Sequence, residues 1–275
     1  MLRSMYSGVS GMRGFQTKLD VIGNNIANVN TVGFKAGRVM FKDILSQTMS
    51  GVTPPVDGEQ GGVNAKQVGL GVSVASIDTL HMGGSAMTTG KSTDLRLDGD
   101  GFFVVSPADG GPRYLTRAGN FDLDANRQLV NADGMFVLAG DDGDGAPIQL
   151  DEGVTAFSIS QTGEIIAIGA DGRAEPTGIF IGVAIVANPG GLEKVGGNLY
   201  RMTPNANPDS ELIVGFASNV DTGSGAIIAG QLEMSNVDLT NEFTEMIVAQ
   251  RGFQANSRII TTSDEILQEV VNLKR

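Results

Sequence analysis

The sequence predicts an α+β protein in which a long helix at each end of the chain flanks an all-β body. Apolar residues recur in steps of three and four over residues 1–32 and 235–275, which is the spacing of amphipathic helices. Between these segments, glycine, aspartate and asparagine interrupt short alternating runs about every 8–12 residues, a pattern typical of antiparallel sheet. We expect the terminal helices to pair as a coiled coil, and the inserted antiparallel body to resemble a barrel or a sandwich.

The N-terminal helix is predicted from apolar residues that share one helical face. They are Met5, Val9, Met12, Phe15, Leu19, Ile22 and Ile26. Glycines interrupt the same segment, and each costs about 1 kcal/mol relative to alanine inside a helix. These glycines are Gly8, Gly11, Gly14 and Gly23. We therefore expect this helix to be marginal by itself and to form only when another surface covers its apolar face.

The C-terminal helix has the more regular apolar face, with the alternating steps of four and three that define a heptad. Its members are Leu239, Phe243, Met246, Phe253, Ile260, Leu267 and Val271. Asp238 is the predicted N-cap, at the end of a Ser235–Asp238 stretch that resembles a capping box. Lys274 and Arg275 place positive charge at the negative end of the helix dipole. A helix of about 35 residues is roughly 50 Å long, more than one small core requires.

We interpret these two apolar faces as a self-assembly seam that closes on the other helix, on neighbouring copies of the chain, or on both. One alternative stays open, because two ordinary amphipathic helices on the core of a globular monomer would show the same spacing. The domain limits that follow are residues 1–32 and 235–275 for the helical assembly domain, 33–70 for a linker or extended region, and 71–234 for a β-rich outer domain.

Turn-forming residues predict where strands of the outer domain connect. Asp98–Gly101 lies between two β-type runs and predicts a hairpin. Further turns are expected at residues 124–127 and at Asp133-Gly134. In the linker, residues 46–64 are polar and contain glycine and two adjacent prolines, so we expect a loop there.

Composition excludes several classes of function. The net charge of −12 argues against nucleic acid as a partner, and no apolar run is long enough for membrane insertion. The chain has no cysteine and a single histidine, His81, which excludes disulfides and thiolate sites. The N-terminus lacks the apolar core of a Sec-type signal peptide, so we expect any route out of the cell to be a different one.

Three near-motifs fall short of the chemistry that they suggest. Gly90-Lys91-Ser92 has serine, not glycine, where a phosphate-binding loop needs its first glycine. Asp122, Asp124 and Asn126 imitate the start of a calcium loop, but Arg127 occupies the position of the invariant glycine. His81 is the only candidate base for a Ser-His-Asp triad, and no nucleophile elbow is present. We expect no enzyme, no cofactor and no metal site, although a calcium-binding extracellular β-module stays a remote alternative, as does weak cation binding by the acidic residues 141–144.

Four stretches resemble the bacterial flagellar rod and hook protein family, and they occur in the same order along the chain. The four stretches are Leu19–Lys35 (LDVIGNNIANVNTVGFK), Tyr114–Phe121 (YLTRAGNF), Ser235–Thr240 (SNVDLT) and Met246–Gln254 (MIVAQRGFQ). Two further short matches are Phe102-Phe103 and Leu129-Val130. The asparagines of the first stretch would be costly in a dry core unless they are hydrogen-bonded. We therefore expect them to bridge backbone groups where the N-terminal helix ends.

The resemblance implies a structural subunit of the flagellar axial tube, located in the basal body and hook. Its implied partners are further copies of the same chain, adjacent rod, hook-cap and hook–filament junction proteins, and the flagellar type III export apparatus. Export through the flagellar channel would also explain the missing Sec signal. Phe41 and Leu45 resemble the family's short export-gate signal, although an ordinary amphipathic turn has the same letters.

Within the family, two assignments compete. The C-terminal helix resembles that of hook proteins, whereas the insertion at residues 46–64 and the short chain resemble a distal rod protein. A compact hook protein of the Gram-positive type would account for both features. We therefore rank the hook, which transmits motor torque to the filament, first and the distal rod second.

Overall fold

The computed structural model of the protein confirms the predicted α+β class. A long helix near each end of the chain flanks β-rich residues. The structure describes residues 2–55, 61–140, 145–151, 153–169, 172–208, 212, 214–219 and 223–273. None of the helices in these ranges is long and apolar enough to cross a membrane.

The chain divides into two compact units, which we call the helix unit and the β unit. The helix unit consists of residues 1–27, 37–79 and 238–275, and the β unit of residues 28–36 and 80–237. The limits expected from sequence stay predictions. In the structure, residues 37–70 of the expected linker belong to the helix unit, in which the strand Gly37–Asp43 packs on the N-terminal helix.

The helix unit contains two helices and four strands. They are α1 (Leu2–Ala27), β1 (Gly37–Asp43), β2 (Ser46–Ser50), β3 (Lys66–Gly69), β4 (Val72–Thr79) and α2 (Leu239–Leu273). Asp238 is the N-cap of α2, as predicted, since its Oδ1 accepts the backbone N–H of Thr240 at 2.9 Å. The Ser235 hydroxyl instead accepts the N–H of Val237, so the capping box expected there is a turn before the helix. Lys274 and Arg275 lie outside the described residues.

The strands of the helix unit form one two-stranded ribbon, residues 37–50 paired with 66–79. β1 pairs with β4 and β2 with β3, both antiparallel. Ile44 N–H to Gly71 O (3.1 Å) and Leu70 N–H to Leu45 O (2.9 Å) continue the pairing across the bend between the two halves. The loop expected at residues 46–64 was therefore wrong at its start, because pairing with β3 supplies hydrogen bonds that the sequence pattern did not reveal.

The β unit consists of short antiparallel strands. They are β5 (Ala86–Thr88), β6 (Leu95–Asp98), β7 (Phe102–Ser106), β8 (Tyr114–Thr116), β9 (Asp122–Leu123), β10 (Leu129–Val130), β11 (Phe136–Val137), β12 (Val154–Ile159), β13 (Glu164–Gly169), β14 (Ala174–Phe180), β15 (Val183–Ala184), β16 (Glu193–Gly196), β17 (Leu199–Arg201), β18 (Val214–Gly215), β19 (Ala226–Ala229) and β20 (Gln231–Glu233).

The largest sheet of the β unit has the strand order β16-β17-β8-β7-β11-β10-β9, with β15 pairing to β7 and β18. β12, β13 and β14 form a separate three-stranded sheet, whereas β6 pairs with β19 and β5 with β20. The core lies among these sheets. Its centre is the edge-to-face pair Phe103 and Phe121, whose ring centroids are 5.3 Å apart and which are fully buried.

The hairpin expected at Asp98–Gly101 is absent, because β6 and β7 belong to different sheets. Asp100 O accepts the N–H of Gly225 at 3.0 Å, so the connection is held against a second chain segment rather than folded on itself. The other two predicted turns are confirmed. β9 pairs with β10 across residues 124–127, and β10 pairs with β11 across Asp133-Gly134.

Candidate assembly surface

α1 and α2 contact each other in an antiparallel arrangement, and glycines allow the closest approaches. A Cβ atom added at Gly8 would lie 3.3 Å from Ile260, and one added at Gly11 would lie 2.8 Å from the Asn256 side chain. On the other helix, a Cβ at Gly252 would lie 2.6 Å from the Phe15 ring. Sequence analysis treated Gly8 and Gly11 as a loss of helix propensity, whereas the structure shows that a side chain would be tightly packed at Gly8 and would collide at Gly11 and Gly252.

The predicted seam residues of α1 face inward to different degrees. Ile22 is buried. The others are partly buried: Met5, Val9, Met12, Phe15, Leu19 and Ile26. The seam of α1 is therefore mostly covered within the helix unit.

The predicted seam residues of α2 divide into two groups. Met246, Ile260 and Leu267 are partly buried. Exposed members are Leu239, Phe243, Phe253 and Val271. The structure therefore brings only part of this seam into the contact with α1.

Sequence reasoning missed the small residues at the centre of this contact. Ala249 and Ser263 are the most buried side chains of α2, and Gly252 and Asn256 lie between them. Their positions differ by three, four and seven residues, which is a helical period. A search for small as well as apolar residues at this spacing would have found them.

A second apolar face of α2 is exposed. We call Val248, Ile259, Ile266 and Val270 the exposed stripe, since each is 43–54% exposed. Their positions differ by 11, 7 and 4 residues, which places all of them on one side of an α-helix. Four large aliphatic side chains are unusual on a helix face that no described element covers, and such patches mark interaction sites.

Asn25 connects three elements of the helix unit. Its side-chain amide donates to Gly37 O at 2.8 Å and to Glu242 Oε1 at 3.0 Å, while its Oδ1 accepts the N–H of Gly37 at 2.9 Å. The side-chain amide of Asn25 thus forms a pair of hydrogen bonds with the backbone of Gly37, as a neighbouring strand would do at the start of β1. For Asn25, this confirms the expectation that asparagines bridge backbone groups at the end of the N-terminal helix.

Charged side chains continue this contact along the two helices. Lys18 forms an ion pair with Glu245. Burial raises the pKa of the neighbouring Glu242 carboxyl, the hydrogen bond from Asn25 opposes that shift, and Glu245 adds to it. The hydrogen bond between Asn25 and Glu242, the ion pair of Lys18 with Glu245 and the glycine contacts together fix the register of α1 against α2.

The two residues of the expected export signal lie in different surroundings. The Phe41 ring, on β1, packs against Phe15 of α1 with a centroid distance of 6.0 Å. Leu45 is exposed at the bend of the ribbon. Further exposed apolar residues lie on the ribbon or in the segments next to it: Ile44, Met49, Val52, Val63 and Val68.

The near-motifs of the β unit acquire ordinary structural roles. The loop Gly90-Lys91-Ser92 leads into strand β6, not into the helix N-terminus that a phosphate-binding loop needs. Lys91 pairs with Asp122, and Asp124 accepts the N–H of Ala125 in its own turn. Among the described residues, no group of three or more His, Cys, Asp or Glu side chains could hold a metal ion. Residues 141–144 lie outside the described ranges.

A buried group of charges in the β unit was not anticipated from sequence. We call Lys35, Arg117 and Glu233 the ion cluster, and each is at most 4% exposed. Lys35 Nζ donates to Glu233 Oε1 at 2.6 Å, and Arg117 Nη1 donates to Glu233 Oε2 at 3.5 Å. These residues are far apart in sequence, so no local sequence pattern predicts the cluster.

Comparison with known proteins identifies the family. Three family models match in chain order: flagella basal body rod protein over residues 5–35, flagellar hook protein FlgE/F/G D1 domain over 96–167, and flagellar basal body rod FlgEFG protein C-terminal over 228–273. The flagellar basal-body rod protein FlgG of Bacillus subtilis is 53% identical over 277 aligned positions, covering all of both chains. The chain belongs to the flagellar basal-body rod and hook protein family.

Other members of the rod and hook family are also similar over their whole length. The basal-body rod protein FlgG of Borreliella burgdorferi is 36% identical over 276 positions, and the hook protein FlgE of the same organism is 30% identical over 450 positions. Each comparison covers all of this chain and all of the relative. The family consists of structural proteins of the flagellum, not enzymes, and this chain is a component of the flagellar axial structure.

Proposed function

We propose that this protein is a distal rod subunit that polymerises with copies of itself into the flagellar axial tube. Alignment length favours the rod over the hook, which the sequence had ranked first. The rod relatives align over 277 and 276 positions, nearly the length of this chain, whereas the hook relative requires 450.

The observation that carries the polymerisation proposal is the exposed stripe of α2. In this proposal, α1 and α2 pair as a coiled coil through the partly buried seam residues, and the exposed stripe docks on a neighbouring subunit. Head-to-tail contacts that do not close on themselves generate helical filaments. The β unit, a barrel- or sandwich-like antiparallel body, forms the outer layer.

The remaining assignments of partners are also proposals. Adjacent rod proteins, and hook-cap and hook–filament junction proteins, would contact the ends of the tube. The type III export apparatus would recognise the exported chain, with Phe41 and Leu45 as its candidate signal. Leu45 and Phe41 are both exposed, which is compatible with such recognition, although one side of the Phe41 ring packs against Phe15 of α1.

Val248→Asp is expected to abolish polymerisation while the monomer stays folded. The change places a charge on the exposed stripe, where it would be desolvated in a subunit contact at a cost of several kcal/mol. Gln254→Asp adds the same charge to another exposed face of α2 and should polymerise like the unchanged protein. Sedimentation and negative-stain electron microscopy measure both results, and normal polymerisation of Val248→Asp would contradict the proposed contact.

The shape of the assemblies separates the two candidate functions. Straight, rigid tubes in electron micrographs are expected for a rod protein, and curved tubes for a hook protein. Curved tubes formed by the unchanged protein would overturn the rod assignment but would leave the exposed stripe as the polymerisation surface.

A further inference from the structure

A groove that is open to solvent runs between α1 and the ribbon of the helix unit. It has a volume of about 470 Å³. Its walls include Tyr6, Val9 and Arg13 of α1, and Ile44 and Val72 of the ribbon. Tyr6 is 73% exposed and Ile44 is 53% exposed, so large apolar side chains of the groove stay in contact with water in the monomer.

Close contacts between α1 and the ribbon fix the shape of this groove. The Ser10 hydroxyl accepts the N–H of Val72 at 3.3 Å. A Cβ atom added at Gly71 would lie 2.3 Å from Ser10 Oγ, and one added at Gly14 would lie 3.0 Å from the Phe41 ring. The groove is therefore formed in the monomer, and a preformed surface loses little conformational freedom on binding.

The groove and α2 lie on opposite sides of α1. α2 meets α1 at Gly8 and Gly11. Tyr6 and Arg13 are each two residues from one of these glycines. Because each residue turns an α-helix by about 100°, a step of two residues leads to the far side of the helix. A helix bound in the groove would therefore come from another molecule.

The C-terminal half of the exposed stripe matches the groove in length. The groove extends along α1 from Tyr6 to Thr17, and this half of the stripe extends along α2 from Ile259 to Val270. Both segments advance by the same number of residues, which corresponds to roughly 17 Å of helix. An apolar row on one helix can thus lie along the whole groove.

The charges of the two surfaces are opposite. Among the described residues that line the groove, Arg13 alone is charged, and it forms no ion pair with another described residue. Residues 259–273 of α2 contain three carboxylates and no basic side chain. One of these carboxylates, Glu269, is exposed beside Val270 and has no ion-pair partner within the described ranges. Opposite charges on two surfaces steer their association and fix its register.

We propose that the groove receives the C-terminal half of the exposed stripe from a second copy of the chain. Ile259, Ile266 and Val270 then pack between α1 and the ribbon, and Glu269 lies beside Arg13. This contact rests on the polymerisation proposed above and supplies the second surface that polymerisation needs. The groove and the stripe are different faces of one subunit, so the contact is head-to-tail and does not stop at a symmetric dimer.

Ile44→Asp and Ile266→Asp test the two sides of the contact. Both side chains are exposed in the monomer, so the variants should fold, whereas the contact would bury each new carboxylate. We expect each variant to raise the concentration needed for polymerisation by at least about 100-fold. Ile77→Asp is the matched control and should polymerise like the unchanged chain, because Ile77 is similarly exposed on the same ribbon but does not line the groove.

A mixture of the two variants distinguishes this contact from any other. Each variant keeps one intact surface, so the groove of Ile266→Asp should bind the stripe of Ile44→Asp. At a concentration at which the unchanged chain polymerises, sedimentation velocity should show monomers for each variant alone and a dimer with one copy of each for the mixture. A mixture that stays monomeric would overturn the contact.

Exchange of the two charges tests the register. Arg13→Glu and Glu269→Arg should each raise the polymerisation concentration about tenfold, because like charges then meet. The variant with both changes should return to within about threefold of the unchanged chain, since the charges are again opposite. Additive losses in the double variant would overturn the contact as proposed.

The same measurements separate failure of this contact from failure of the polymerisation proposal. Normal polymerisation of Ile44→Asp together with loss of polymerisation in Ile266→Asp would overturn the groove and leave the stripe as the polymerisation surface. Normal polymerisation of Ile266→Asp, or the absence of polymers from the unchanged chain, would overturn both.

Discussion

Single residues of the helix unit show that one residue type can have opposite roles in the same fold. Gly252 leaves no room for a side chain against Phe15, whereas a Cβ at Gly23 would meet no atom within 4 Å. The first glycine permits contact between the helices, and the second only weakens α1. The sequence alone gives both the same unfavourable helix propensity.

Gly252→Ala and Gly23→Ala are therefore expected to change stability in opposite directions. Gly252→Ala should destabilise the helix unit by about 1–3 kcal/mol, because the methyl group overpacks the contact with Phe15. Gly23→Ala should stabilise it by about 0.5–1 kcal/mol through helix propensity. Thermal unfolding followed by helical circular dichroism measures both changes, and the same sign for the two variants would contradict the contact.

The residues at which helices and strands begin and end are set by contacts that the pattern of apolar residues does not reveal. The start of α2 is fixed by Asp238, which caps Thr240 and also accepts from the Asn241 amide at 2.9 Å. The ribbon is fixed by pairing between β1 and β4, and α1 covers one of its sides through Phe15 and Phe41. A pattern of apolar residues predicts that an element exists, but hydrogen-bond partners decide where it begins.

Asp238→Ala should shorten α2 at its N-terminus and destabilise it by about 1 kcal/mol, the usual cost of a lost N-cap. Asp238→Asn is the matched control, since asparagine caps about as well and should cost only a few tenths of that. Circular dichroism and thermal unfolding of both variants measure the difference. Equal losses in the two variants would show that the charge of Asp238, rather than its capping oxygen, matters.

At the scale of the whole chain, residues distant in sequence belong to one unit. Residues 28–36 lie in the β unit together with residues 80–237, although residues 37–79 between them belong to the helix unit. The ion cluster and two backbone hydrogen bonds make this connection, together with hydrogen bonds from the Asn198 amide to Val32 O and from Ala36 N–H to Asn236 Oδ1, both 2.8 Å. Covalent continuity through the ribbon is therefore not what holds residues 28–36 in place.

Limited trypsin digestion of the monomer should cut α2 first, because we expect its exposed apolar face to be covered only in the polymer. Cleavage in the ribbon, at Lys42 or Lys66, should leave the peptide that contains residues 28–36 bound to the β unit at neutral pH. Gel filtration and mass spectrometry of the nicked protein measure this. Intact termini would contradict assembly-coupled folding, and a separated peptide would contradict the non-covalent attachment.

The sequence by itself determined the fold class, the family, the N-cap of α2 and two of the three predicted turns. Each of these depends on a local pattern: a helical period, a capping side chain or a turn residue. Tertiary structure decided which face of α2 meets α1, since Ala249 and Gly252 carry no apolar signal comparable to Phe243. It also decided the ion cluster, the pairing of β6 with β19 and the groove between α1 and the ribbon, because these join residues whose distance in sequence hides their contact in space.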